Sequence, residues 1–235
     1  MRQLFYSSNA DKERVHLNDQ EFAHCIKVLR KKVGDIIDVI DGRGGYYRCK
    51  ITNISTKNVE ASVISSEFNK KNGYGCHIGI SPTKNSDRYE WFVEKSIEFG
   101  VSEITFLECD RTERNNLRID RLEKIALSTI KQSNQYYLPK INNLTNYNEF
   151  LSSTHKDTIN IIPNLEDETI ENICNYMNPG SNICVLIGPE GDFTREEVDS
   201  AKEVGYKSVS LGKSRLRTET AGVYCSSLFY YINNE

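Results

Sequence analysis

The chain has 235 residues, 38% hydrophobic and 27% charged, with a formal net charge of −3. That apolar share over that length supports a sizeable core and excludes a disordered chain. No apolar run approaches membrane-spanning length and the start MRQLFYSS lacks the basic-then-apolar pattern of a secretory signal, so a cytosolic protein of two domains is expected.

From Asp19 to Leu29, the apolar positions Phe22, Ile26 and Leu29 follow helical spacing; Val33-Gly34-Asp35 then turns the chain into a β-rich stretch, Ile36 to Ile40. The turn Asp41-Gly42-Arg43-Gly44-Gly45 precedes two further strand-like runs, Tyr46 to Ile54 and Val59 to Ile64, and the whole reads as a small β-barrel. Polar Phe68-Asn69-Lys70-Lys71-Asn72-Gly73 is the linker, giving domains over 1–72 and 73–235. Residues 1–72 carry 13 Lys and Arg against 9 Asp and Glu, whereas the remainder carries 17 against 24. The basic cluster Arg30, Lys31 and Lys32, with Arg43, suits RNA phosphates, and a solvated surface is the competing reading.

Beyond the linker, strands and helices alternate. Cys76 to Ser81 reads as a strand, Asp87-x-x-Glu90 as the cap of a helix through Phe99, and Ile104 to Leu107 as a strand. Asp120-x-x-Glu123 opens a helix with Leu122, Ile125, Ala126, Thr129 and Ile130 on one side; a strand at Thr158 to Ile162 and a helix near Glu168 to Met177 follow. This α/β alternation predicts a parallel sheet covered on both faces, with ligands at the carboxyl ends of its strands.

Two glycine-and-charge clusters fall at that edge, Leu186 to Glu197 (LIGPEGDFTREE) and Leu211 to Gly222 (LGKSRLRTETAG). In the first, the apolar run Ile183 to Ile187 meets Gly188-Pro189-Glu190-Gly191, and Thr194 with Glu197 supplies a capping box. In the second, Val209 and Leu211 close a short strand, Gly212 allows a bend, and Thr218 or Thr220 caps the last helix. Such turns expose backbone N–H groups beside a positive helix end, which suits a carboxylate, ribose or phosphate.

Other chemistries find little support. The seven cysteines form no C-x-x-C pair and the four histidines no ligand spacing, so neither a disulfide framework nor a metal is expected. The dinucleotide pattern G-x-G-x-x-G is absent, and Lys207 stands where a phosphate loop ending in Gly212-Lys213-Ser214 needs glycine.

What the residues resemble is the SPOUT superfamily, and within it the RsmE family of ribosomal RNA uridine-N3 methyltransferases. Leu186-Ile187-Gly188-Pro189-Glu190-Gly191 and Leu216-Arg217-Thr218-Glu219-Thr220-Ala221 are similar to that family's GPEGG and LRTETA signatures. Arg30 with Val33-Gly34-Asp35, Lys95 with Glu98, Gly100 and Val101, and Gln132-Ser133 with Leu138-Pro139 add to the likeness. Asp192 replaces the family's second glycine, the basic residue of LGxRILR is displaced by one in Leu211 to Arg217, and Gln135 stands where many relatives carry a basic residue.

The resemblance implies a PUA-like RNA-binding barrel, a C-terminal domain with a trefoil knot that binds S-adenosylmethionine, a homodimer, and methyl transfer to N3 of a uridine in small-subunit ribosomal RNA. The cofactor would then meet Gly188, Pro189, Glu190, Gly191, Leu211, Gly212, Leu216 and Thr218. Arg217 would hold the uracil as its N3 proton leaves, and Glu190 or Glu219 would accept that proton. An RNA-binding protein of the same fold without chemistry, or an enzyme using another nucleotide, remain as alternatives that cofactor binding and a methyl-transfer assay separate.

Overall fold

In a computed structural model of the chain, residues 3–153, 157–164 and 171–234 are described. They form two compact units, Met1–Lys71 with Leu127–Leu138, and Asn72–Ala126 with Pro139–Glu235.

The first unit is a curled five-stranded sheet in the order β1-β3-β4-β5-β2. Its strands are β1 (Leu4–Tyr6), β2 (Arg14–Asn18), β3 (Ile36–Ile40), β4 (Gly45–Ile54) and β5 (Asn58–Phe68). All neighbours pair antiparallel except β1 with β3. Alternating residues point inward, so Val15 and Leu17, Ile37 and Val39, Cys49 and Ile51, and Val59 and Ala61 share one core with Phe5. The expected helix at Asp19 to Leu29 is a short α1 (Asp19–Ala23) continued by a π-helical turn, His24–Val28, and Phe22, Ile26 and Leu29 pack on that core. The turn ends at Arg30, whose φ of +53° is in the left-handed region. Leu127–Leu138 is bound to the same unit: Gly44 N–H donates to Tyr136 C=O at 2.9 Å, Leu138 N–H to Gly42 C=O at 2.8 Å, and Lys131 pairs with Glu21.

The second unit is built on a six-stranded sheet in the order β11-β9-β10-β6-β7-β8. These are β6 (Cys76–Ile80), β7 (Glu103–Glu108), β8 (Lys140–Asn146), β9 (Thr158–Pro163), β10 (Asn182–Ile187) and β11 (Lys207–Val209), and every pairing is parallel. One face carries α4 (Tyr147–Ser152) and α5 (Arg195–Glu203), which bury Tyr147, Phe150, Val198 and Ala201 against Leu107, Ile162 and Leu186. On the other, α2 (Ser86–Glu98) packs closely on α6 (Thr218–Asn233): a Cβ on Gly222 would overlap the Phe92 ring and stand 3.2 Å from Ile80. Ser226 Oγ donates to Ser96 Oγ at 3.0 Å across the same pair. The helix α3 (Ile119–Gln132) buries Leu122, Ala126, Thr129 and Ile130.

Several local expectations are corrected. Asn85, not Asp87, caps α2, its side chain accepting the Asp87 N–H at 2.9 Å. Neither Thr218 nor Thr220 caps α6, since Arg217 occupies that position without a side-chain bond. The strand before the second cluster stops at Val209, short of Leu211. Of the helix expected near Glu168 to Met177, residues 168–170 lie outside the described residues and the rest holds only a 3-10 turn, Ile173–Asn175.

Candidate active site

A wholly parallel sheet brings all its carboxyl ends to one edge, among them the loops after β6, β7, β10 and β11 and the end of β9. The loop after β10 is a tight turn, Asp192 N–H donating to Pro189 C=O at 2.9 Å. Asp192 has φ +64°, so the position that bears the family's second glycine does require the left-handed region. Aspartate meets that requirement by a local bond, Oδ1 accepting the Phe193 N–H at 2.8 Å. The chain then enters α5 through the expected capping box, with Thr194 Oγ1 accepting from Glu197 N–H at 3.2 Å and Glu197 Oε2 from Thr194 N–H at 2.8 Å.

The two glycine clusters meet. Thr218, read from sequence as a cap, instead donates its hydroxyl to Gly188 C=O at 3.0 Å. Both clusters line one cavity of about 300 Å³, at the lower end of the range of small-molecule sites. Of the expected cofactor residues, Gly188, Pro189, Glu190, Leu211, Leu216 and Thr218 line it, as does Arg217, whereas Gly191 and Gly212 do not. Gly188 is tightly enclosed, because a Cβ there would stand 3.1 Å from both the ring and the backbone nitrogen of Phe193, which would have to give way by a few tenths of an ångström. Sequence reasoning missed Pro163 and Asn164 at the end of β9, and Ser214, Arg215 and Asp192, which also line the cavity. Asp192 and Arg215 left a trace, both as departures from the family pattern.

The walls suit a molecule with an apolar body and charged ends. Ile187, Leu211, Leu216 and Ala221 supply apolar surface, Glu190 and Asp192 negative charge, and Arg215 and Arg217 positive charge. Arg217 is exposed and stands at the N-terminus of α6, the end where a cation is least favoured. Its guanidinium makes no hydrogen bond or ion pair among the described residues.

The two candidate carboxylates are placed differently. Glu190 is exposed and its Oε1 accepts the Lys84 N–H at 3.0 Å. Glu219 is 6% exposed and lies outside the cavity lining, with Oε1 3.7 Å from Arg88 Nε and Oε2 buried without a partner.

Cysteine chemistry is not offered here: all cysteines but Cys174 are buried, and burial pushes the Cys225 thiol up to about 12 and raises Cys109 well above its ordinary value. No group of three potential metal ligands occurs among the described residues.

In the first unit, Arg30 and Lys32 are exposed just before β3, and Lys31 donates to Ile36 C=O at 3.3 Å. Lys50, paired with Ile36 across the sheet, joins that end. Arg43 lies beyond the opposite end of β3 and donates to Ser8 C=O at 2.9 Å, so the four expected RNA contacts flank one strand rather than forming one patch.

Comparison with known proteins agrees with this architecture. Residues 70–230 match the RNA methyltransferase domain and residues 17–64 the RNA methyltransferase PUA domain. The chain is 30% identical to the ribosomal RNA small subunit methyltransferase E of Buchnera aphidicola, over 88% of this chain and 83% of that protein. A probable rRNA-methyltransferase from Porphyromonas gingivalis superimposes with a TM-score of 0.90 at 34% identity, covering 98% of each chain. Ribosomal RNA small subunit methyltransferase E from Neisseria gonorrhoeae, bound to S-adenosyl methionine, does so with a TM-score of 0.88 at 25% identity, covering 99% of this chain and 98% of that one. The chain belongs to the ribosomal RNA small subunit methyltransferase E family of RNA methyltransferases.

Proposed function

We propose that this protein transfers a methyl group from S-adenosylmethionine to N3 of one uridine in small-subunit ribosomal RNA. The observation that carries the proposal is the hydroxyl of Thr218 on the carbonyl of Gly188, which draws two distant segments into the walls of one cavity. Leu211, Leu216 and Ile187 would enclose the apolar parts of the cofactor, the backbone around Gly188 would meet its polar edge, and Asp192 would favour its cationic groups. Bound there, it would supply a methyl group activated by a sulfonium, with a neutral thioether as the leaving group. Arg217 holds the uracil oxygens, its fixed positive fork stabilising the anion left when the N3 proton departs to water at the open mouth.

Residues 1–72 grip the RNA and 73–235 carry out the transfer. Arg30, Lys31, Lys32 and Arg43 meet phosphates, and the target base is taken out of its stack. The protein works in the cytosol as a homodimer, and the trefoil knot expected of the family belongs to the same reading. The exposed aromatics Trp91 on α2 and Tyr230 and Tyr231 on α6, at 43%, 46% and 58%, support a second copy on the paired helices.

Small ribosomal subunits from cells lacking the protein, incubated with it and S-adenosylmethionine, should gain one 3-methyluridine, located by nuclease digestion and mass spectrometry. Cofactor binding without methyl transfer would leave an RNA-binding protein of this fold, and absence of cofactor binding would remove the proposal altogether.

A further inference from the structure

We infer that Glu190 is a positioning residue: with Arg114 and Arg111 it ties together the three loops that follow β6, β7 and β10, so that the walls of the cavity stand in place before a ligand arrives. The inference rests on the reading of the cavity as the cofactor site. Gly188 and Gly191 make the loop after β10 costly to order, so something must hold it. The holding groups are long side chains from its neighbours.

Lys84, in the loop after β6, is gripped on both sides of its backbone. Its N–H is taken by Glu190 Oε1 at 3.0 Å, and its C=O receives Arg114 Nε at 3.1 Å and Nη2 at 2.8 Å. Arg114 belongs to the loop after β7, and its guanidinium lies 5.7 Å from the ring centre of buried Tyr89. From the same loop, Arg111 Nη1 donates to Gly191 C=O at 2.7 Å, and its Cδ passes where a Cβ on residue 191 would stand 3.2 Å away. This gives a reason for Gly191, which lies outside the cavity lining: without a Cβ it lets the arginine pass close, and a side chain there would press on the Arg111 methylene. Ser81 completes the register, its N–H donating to Ile187 C=O at 2.9 Å and its Oγ hydrogen-bonded to Thr112 Oγ1 at 2.8 Å. The Glu190 oxygen is therefore spent on a backbone donor, and the residue acts through the loops it joins.

Calorimetric titration with S-adenosylmethionine and single-turnover methylation at saturating cofactor test this in wild type, Glu190→Ala, Glu190→Gln, Arg114→Ala and Arg114→Lys, with melting curves to confirm folding. Glu190→Ala and Arg114→Ala should each weaken cofactor binding about tenfold or more. Glu190→Gln, which keeps an acceptor for the Lys84 N–H, should recover most of that loss; Arg114→Lys, which has no fork, should recover little. Because both side chains hold one residue, Glu190→Ala combined with Arg114→Ala should be little worse than either alone. Wild-type affinity in both alanine variants would overturn the inference. So would a Glu190→Gln protein that binds cofactor normally yet is as inactive as Glu190→Ala, which would make the carboxylate a proton acceptor. Failure of the wild type itself to bind would instead sink the cofactor reading.

Discussion

The two edges of the parallel sheet both open into cavities, and the larger is not the one that fits the chemistry. At the amino ends, Gly75, Ser102, Lys140, Thr158 and Asn182 rim a hollow of about 750 Å³, more than twice the size of the carboxyl-edge cavity. Its floor is polar but largely satisfied from within. His77 Nε2 and Thr105 Oγ1 share a hydrogen bond of 2.8 Å, Asn142 donates to Thr105 Oγ1 and Glu103 Oε1 at 2.7 Å each, and Lys140 adds 3.0 Å to the same carboxylate. Burial raises the Glu103 carboxyl, and the bonds from Asn142 and Lys140 outweigh it, leaving it below its ordinary value. Asn160 Oδ1 is the exception, buried without a partner. At the carboxyl edge the smaller cavity has apolar walls, a glycine backbone and two guanidinium groups, Arg215 and Arg217, with no partner among the described residues. A site is marked by groups that remain unspent, more than by volume.

Substitutions at the two edges should therefore differ in kind. The largest effect is expected from Arg217→Ala, which should slow methylation on the order of 10²-fold or more while cofactor affinity stays near wild type. Loss of cofactor binding in that variant would give Arg217 a structural role. Next comes the first unit: Arg30→Glu with Lys31→Glu should weaken RNA binding at low salt by well over tenfold and lower the slope of log affinity against log salt by about two. Unchanged filter-binding affinity would move the RNA elsewhere. Thr218→Val, which removes the donor to Gly188, should raise the cofactor Kd about tenfold, equivalent to about 1.4 kcal/mol. At the amino edge, Asn142→Ala should cost about 1–3 kcal/mol of stability in urea melts and leave methylation within about twofold of wild type. A large drop in activity there would erase the contrast between the edges.

What the sequence discloses follows the range of the interactions. The capping box at Thr194 and Glu197 is legible because its partners are three residues apart, and β6 and β10 because both their faces are buried and read as apolar runs. Strand β8, KINNLTN, is not legible: it is an edge strand whose exposed positions are filled with polar residues. The short strands β1 and β2 lack the length for a clear alternation. The assignment of Leu127–Leu138 to the first unit depends on hydrogen bonds to Gly42 and Gly44, more than eighty positions away. At the site, glycine spacing located both loops, and the resemblance singled out Arg217. The Thr218 hydroxyl bond, the contribution of Pro163 and Asn164, and the tie from Arg114 to Lys84 arise only when separate strands end at the same edge.

The most direct test of the central claim is a crystal structure of the protein with S-adenosylmethionine. The cofactor should lie between Gly188 and Leu216, with the Thr218 hydroxyl still on the Gly188 carbonyl and the Arg217 guanidinium facing the methyl group. Density for it in the amino-edge hollow, or the two glycine segments drawn apart, would contradict the account.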